Sequence, residues 1–154
     1  MATSAVHLEL ATDYSTAGFL AAFKKFCSRR GICATLASDY GTNLVGADAE
    51  LRRLFSSASK ELFNPPAAPH FGGKWEAAVK STKFYLKRVI GDTLLTYEEF
   101  ATVLAQVEVV LNSRPICPMS EDPSDIDALT PAHFLTGDPL MLFPEPSLTD
   151  VPLG

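Results

Sequence analysis

Residues 64–91, NPPAAPHFGGKWEAAVKSTKFYLKRVIG, constrain the chain more than any other stretch. Pro65, Pro66 and Pro69 remove backbone donors and fix φ, and Gly72-Gly73 loosens the backbone, so the first half can be neither regular helix nor regular strand. The second half carries a helix period. Trp75, Val79, Thr82, Leu86 and Val89 recur at steps of four and three and predict one buried stripe on a helix over 74–90, with Gly91 as its stop.

Beside that stripe, Glu76, Lys80, Lys83 and Lys87 follow the same spacing and line up on a neighbouring face. A carboxylate thus sits in the first turn, at the mouth of a Gly/Pro loop, with a row of ammonium groups behind it. Taken alone, such a row is an ordinary solvated face with Glu-to-Lys pairing and a carboxylate favoured by the helix dipole. Lys74, Lys80, Lys83, Lys87 and Arg88 against Glu76 make the predicted helix strongly basic within a chain of net charge −5. The acidic balance comes from the other end. Residues 119–154 hold Glu121, Asp122, Asp125, Asp127, Asp138, Glu145 and Asp150 and no Lys or Arg.

A chain of 154 residues with 47% hydrophobic content can bury one core, and its apolar runs are too short to cross a bilayer. The N-terminus has no basic segment followed by an apolar one, which argues against a signal peptide. Cys27, Cys33 and Cys117 form no CxxC pair, which argues against a disulfide framework or a zinc site and fits a reducing compartment.

Along the chain, Val6, Leu8 and Leu10 alternate with His7 and Glu9, which predicts a half-buried strand over 5–11 with His7 exposed. Ser15 or Thr16 caps a helix that buries Phe19, Leu20, Phe23, Phe26 and Cys27 and closes at Gly31. Lys24, Lys25, Arg29 and Arg30 near its end read as dipole compensation. Residues 34–38 form a short buried strand delivering Ser38-Asp39-Tyr40-Gly41-Thr42-Asn43, where open sheets place their chemistry and where ordinary turns also occur. A short helix follows over 46–55, then a clipped strand at 60–63. Thr96 with Glu99 is a capping box opening a helix to Asn112 that buries Phe100, Val103, Leu104, Val107 and Leu111. The remainder is Pro-rich and acidic, with one helical turn near 130–135. This divides the chain into a core unit, 1–118, and an acidic extension, 119–154.

Asp39 ends a strand, Glu76 opens a basic helix, and 36 residues separate them. Together they resemble the second and third acids of the D,D-x-E integrase core. HLEL, SDYGTNLVGA, NPPAAPHFGGKWEAAVKS, LTYEEF, LNSRPI and DALTPAHFLTGDPL resemble the integrases of BEL/Pao-type retrotransposons over nearly the whole chain. The resemblance implies a ribonuclease H-like α/β fold and metal-dependent DNA strand transfer. It implies Asp39 and Glu76 as catalytic ligands of magnesium or manganese, and Lys80 and Lys83 as DNA contacts, to which the helix spacing adds Lys87. Asn43 and His70 would lie near the site. DNA and further copies of the chain are the implied partners, and the nucleus the implied location.

The chain departs from the family pattern in three ways. The family's first Asp lies on a strand upstream of the one matching 5–11, and Asp13 stands on the wrong side of that strand to replace it. Tyr40 stands where the family has Asn. The SSASKELF segment reads as the join left by a deletion. The expectation is therefore a partial, helix-dominated ribonuclease H-like fold lacking its first two strands. Strands 5–11 and 34–38 would then either pair directly or lie apart. Three readings stand at this point: an inactive core fragment, a host-recruited DNA- or protein-binding module that kept the basic helix, and an enzyme whose missing acid comes from another chain.

Overall fold

In the computed structural model, residues 3–33, 35–38, 46, 47, 51, 60–63 and 73–141 are described. Helix α1 (Thr16–Arg30) starts where the sequence puts it, because the Ser15 hydroxyl accepts a bond from the Gly18 amide at 3.0 Å. Asp13 in turn accepts from the Ser15 hydroxyl and amide, which hold its carboxyl below the usual range. The helix ends at Gly31, whose φ of +82° lets its amide reach back to the Cys27 carbonyl at 2.9 Å. Phe23 is buried with Ala47 and Leu51, and Phe19, Leu20, Phe26, Cys27, Cys33 and Leu36 pack around them.

Strand β1 (Thr35–Ser38) pairs in parallel with β2 (Lys60–Phe63), in register from Thr35 opposite Lys60 to Ser38 opposite Phe63. The expected strand over 5–11 joins neither. Residues 4–10 form no ladder, and the segment lies along the later helix α3 (Tyr97–Asn112). The Asn112 amide stands in for a neighbouring strand: its Oδ1 accepts from the Val6 amide at 2.9 Å and its Nδ2 donates to the Val6 carbonyl at 2.7 Å. One turn earlier, Glu108 accepts from the Leu8 amide at 2.7 Å. Backbone donors and acceptors must be paired, and here side chains of a helix supply the partners.

This docking corrects the reading of His7 as an exposed strand residue. His7 is turned inward, its ring 5.3 Å from that of Phe26, with Glu9 and Glu108 at 3.6 and 3.4 Å. It also corrects the reading of the basic end of α1 as dipole compensation. Lys25 and Arg29 pair with Glu9 at 3.1 and 3.3 Å, and Arg30 pairs with Glu108 at 3.1 Å. Those cations bind the N-terminal segment and α3, which a sequence read helix by helix does not show.

Helix α2 (Gly73–Ile90) is the predicted basic helix, and Gly91 follows it with φ +55°. It packs against α3, and Thr82, which also lines the groove beside the N-terminal segment, is its buried residue among those described. The predicted stripe turns somewhat: Val79 and Val89 are 47% and 60% exposed, while Ala78, Ser81 and Tyr85 join Trp75 and Leu86 on the partly buried side. Helix α3 carries the capping box in full. The Thr96 hydroxyl accepts from the Glu99 amide at 3.2 Å, and Glu99 accepts from the Thr96 amide at 2.8 Å. Val107, Leu111 and Asn112 are its buried residues.

Beyond α3 the chain folds back on it. Strand β3 (Cys117–Pro118) pairs antiparallel with β4 (Ala128–Leu129), a hairpin the sequence reading did not contain. The helical turn expected near 130–135 is α4 (His133–Thr136). The Ala132 amide donates to the Asn112 carbonyl at 3.0 Å, and the Ser113 hydroxyl to the Leu140 carbonyl at 2.9 Å. Among the described residues the strands form two separate two-stranded sheets, and helices predominate.

Two predictions follow from these contacts. Asn112→Ala strands both backbone groups of Val6, and it is expected to lower unfolding stability by roughly 2–3 kcal/mol in urea denaturation; Asn112→Asp, which cannot donate to the carbonyl, should cost a similar amount. The Thr96 amide and hydroxyl bonds hold the Glu99 carboxyl below its usual value. A depressed carboxylate contributes its support above its unfolded pKa and loses it as pH falls through the folded one. The Thr96 amide resonance should therefore shift below the ordinary Glu range, and Glu99→Gln should abolish that shift.

Candidate functional site

The parallel pairing of β1 and β2 sets both carboxyl ends on one side of the small sheet. From those ends the chain runs on into residues 39–45 and 64–72. Asp39, Asn43 and His70 fall in these stretches and lie outside the described residues. The second stretch leads directly into α2, whose first turn presents Glu76.

Glu76 is exposed and makes no ion pair among the described residues. The Glu-to-Lys pairing that its spacing allowed is not formed. Lys80, Lys83 and Lys87 are likewise exposed and unpaired among the described residues, and Arg88 is exposed beside them. A free carboxylate near a helix N-terminus is held by the dipole, and a row of free ammonium groups runs from it toward the C-terminal end. Chemically this is one hard oxygen donor beside a track for anions.

The carboxylate fits a hard divalent cation as a single ligand, since magnesium takes one or two carboxylates and fills its remaining positions with water. Among the described residues no group of three His, Cys, Asp or Glu side chains could hold a metal. The other carboxylate of the expected pair, Asp39, is outside them. Burial pushes the Cys27 and Cys33 thiols up, away from the thiolate form.

A groove of about 520 Å³ lies between the N-terminal segment and α2. Val6, Leu8, Trp75, Ala78 and Thr82 line it, with Arg114 among its residues. The Arg114 guanidinium donates to the Ser4 carbonyl at 2.7 Å, which ties the first described residues to the end of α3.

Phe84 is the residue that sequence reasoning missed. It is 57% exposed on α2. Its place four residues after Lys80 and four before Arg88 put it on the basic face from the start, but an apolar residue outside the main stripe gave no signal of its own.

No family model matches the sequence, and no curated protein matches it. Solved structures do. The catalytic core domain of BIV integrase superposes with a TM-score of 0.60 at 18% identity, covering 86% of this chain and 78% of that one. A simian T-cell lymphotropic virus intasome, solved in complex with a PP2A regulatory subunit, gives a TM-score of 0.58 at 13% identity. That match covers 86% of this chain and 44% of the intasome chain, so this chain spans under half of it. The fold is thus similar to that of retroviral integrase catalytic cores, and the helix-rich chain with its small parallel sheet fits a partial α/β fold of the ribonuclease H-like kind. No helix among the described residues is long and apolar enough to cross a membrane.

The free state of Glu76 has a direct check. Titrating Mn²⁺ into the protein is expected to broaden the amide resonances at the start of α2 first, and Glu76→Gln should remove that selective broadening.

Proposed function

We propose that this chain is a DNA-binding unit of the integrase-core type, related to the BEL/Pao retrotransposon integrases, with α2 as its DNA-binding element. The observation that carries this reading is the basic face of α2: the exposed, unpaired Lys80, Lys83 and Lys87 follow Glu76 on a fold shared with retroviral integrase cores. Lysines positioned in this way hold a phosphate backbone by charge and carry no base readout, so binding is independent of sequence.

In this reading Asp39 and Glu76 are the two carboxylates that hold magnesium or manganese, and Asn43 and His70 stand near them. Metal ions held there would supply Lewis-acid stabilisation for a phosphoryl transfer. Glu76 contributes a fixed donor at a helix start, and the lysines keep the DNA strand over it. Residues 1–154 offer two of the three carboxylates that the resemblance implies. In this reading two acids by themselves do not anchor both cations, and strand transfer depends on a third carboxylate. Assembly with further copies and a nuclear location belong to the same reading; an intasome is among the structural relatives.

Duplex binding measured by fluorescence anisotropy should weaken steeply with salt. With about 0.9 counterions released per neutralised phosphate, Lys80→Glu with Lys83→Glu should reduce the log–log slope by about 2 and abolish binding near physiological salt. Unchanged affinity in the double variant would place the DNA contact elsewhere. Strand-transfer assays of the purified chain in magnesium or manganese should show no product; product that disappears in Glu76→Gln would overturn the two-carboxylate account.

A further inference from the structure

The ring of Phe84 has no place in a purely electrostatic track. At about 100° per residue, Lys80 and Lys87 lie about 40° and 60° to one side of it, and Arg88 about 40° to the other. Lys83 lies further round on the Lys80 side. An exposed phenyl group therefore sits inside an arc of four exposed cations, on the side of α2 opposite the buried Thr82. Eight residues separate it from Glu76, about 12 Å along the helix axis.

Its setting is that of a platform. The Phe84 and Tyr85 rings meet edge-on, with centroids 5.5 Å apart and planes at 80°, and Tyr85 is partly buried against the body of the protein. An edge-on contact steadies the ring while leaving at least one of its faces open. An exposed aromatic flanked by Lys and Arg is the arrangement that holds single-stranded nucleic acid, with cations on the phosphates and a base stacked on the ring. Four cations around one ring fit a polyanion with flat apolar groups; an apolar protein surface would leave those charges desolvated and unpaired.

We propose that Phe84 is a stacking platform for an unpaired DNA base, so that α2 grips a strand with an extrahelical or unpaired nucleotide more tightly than a closed duplex. This rests on the assignment of α2 as the DNA-binding element and adds a second kind of contact to it. A closed duplex offers phosphates to the lysines but no free base face to the ring, so the two contacts can be separated experimentally.

The test uses the full chain with two probes, a blunt 20-base-pair duplex and a 12-nucleotide thymidine strand carrying one central 2-aminopurine. Phe84 is exposed, so Phe84→Leu keeps an apolar side chain without disturbing the core, and its helix content is checked by circular dichroism. Phe84→Leu is expected to weaken the single strand by about tenfold, to leave the duplex within about twofold, and to remove the fluorescence quenching that stacking causes. Phe84→Trp should restore both affinity and quenching. If Lys80→Glu with Lys83→Glu loses duplex binding while Phe84→Leu binds and quenches the single strand as the parent does, stacking is overturned and the α2 assignment stands. If the lysine variant binds the duplex unchanged, the α2 assignment falls and stacking falls with it.

Discussion

The side-chain amide of Asn112 does for Val6 what a neighbouring strand would do. It offers one acceptor and one donor in the spacing of a peptide group, 2.9 and 2.7 Å from the Val6 amide and carbonyl. Asn112 is fully buried, so its amide would bear a full desolvation cost if these partners were lost. The extended N-terminal segment is thereby held on α3. Glu108 then secures Leu8 and reaches Arg30, which draws in α1. Glu9 closes the arrangement through Lys25 and Arg29. One wall of the groove beside α2 is built from this same segment, so the surroundings of α2 depend on a hydrogen bond made at the far end of α3.

What the sequence made legible is what local physics decides. Ser15, Gly31, Gly91 and the Thr96–Glu99 box set helix ends through contacts within a few residues, and each end falls where the sequence places it. The order of Glu76, Lys80, Lys83 and Lys87 along one face needs only the helix period. The docking of residues 4–10 was not legible in the same way. Alternation of Val6, Leu8 and Leu10 signals an extended chain, and nothing in it says whether the partner is a strand or the side chains of a helix more than 100 residues away. The Cys117–Leu129 pairing was hidden for a related reason: its strands are two residues long and carry no period. The turn of the α2 stripe toward Ala78 and Tyr85 depends on what packs beside the helix, α3 and the N-terminal segment among them, which is tertiary information.

The cations of the two basic helices have different fates, and the difference bears on function. Those near the end of α1 are consumed internally, since Lys25, Arg29 and Arg30 all meet carboxylates of the N-terminal segment or α3. On α2 no carboxylate among the described residues answers the row. Of the acidic residues after 118, Glu121, Asp122, Asp125, Asp127 and Asp138 are described, and none forms an ion pair with it. Asp122 is occupied instead by the Ser124 amide and hydroxyl in its own turn.

An unanswered row has a cost. Lys80, Lys83 and Lys87 are like charges at three- and four-residue spacing, each adjacent pair unfavourable by about 0.2–0.5 kcal/mol, and the Glu76–Lys80 pair that would offset part of it is not made. Among the described residues no acidic side chain relieves that repulsion, although carboxylates do relieve the comparable charge on α1. A phosphate backbone relieves it from outside by displacing counterions that the row would otherwise gather. The free carboxylate at the head of the same helix would oppose a bare polyanion unless a cation lay between them, and in the proposed reading a divalent metal would fill that place. Free lysines and a free glutamate on one exposed face are thus mutually consistent when DNA and a metal ion are present together, and electrostatically costly when neither is.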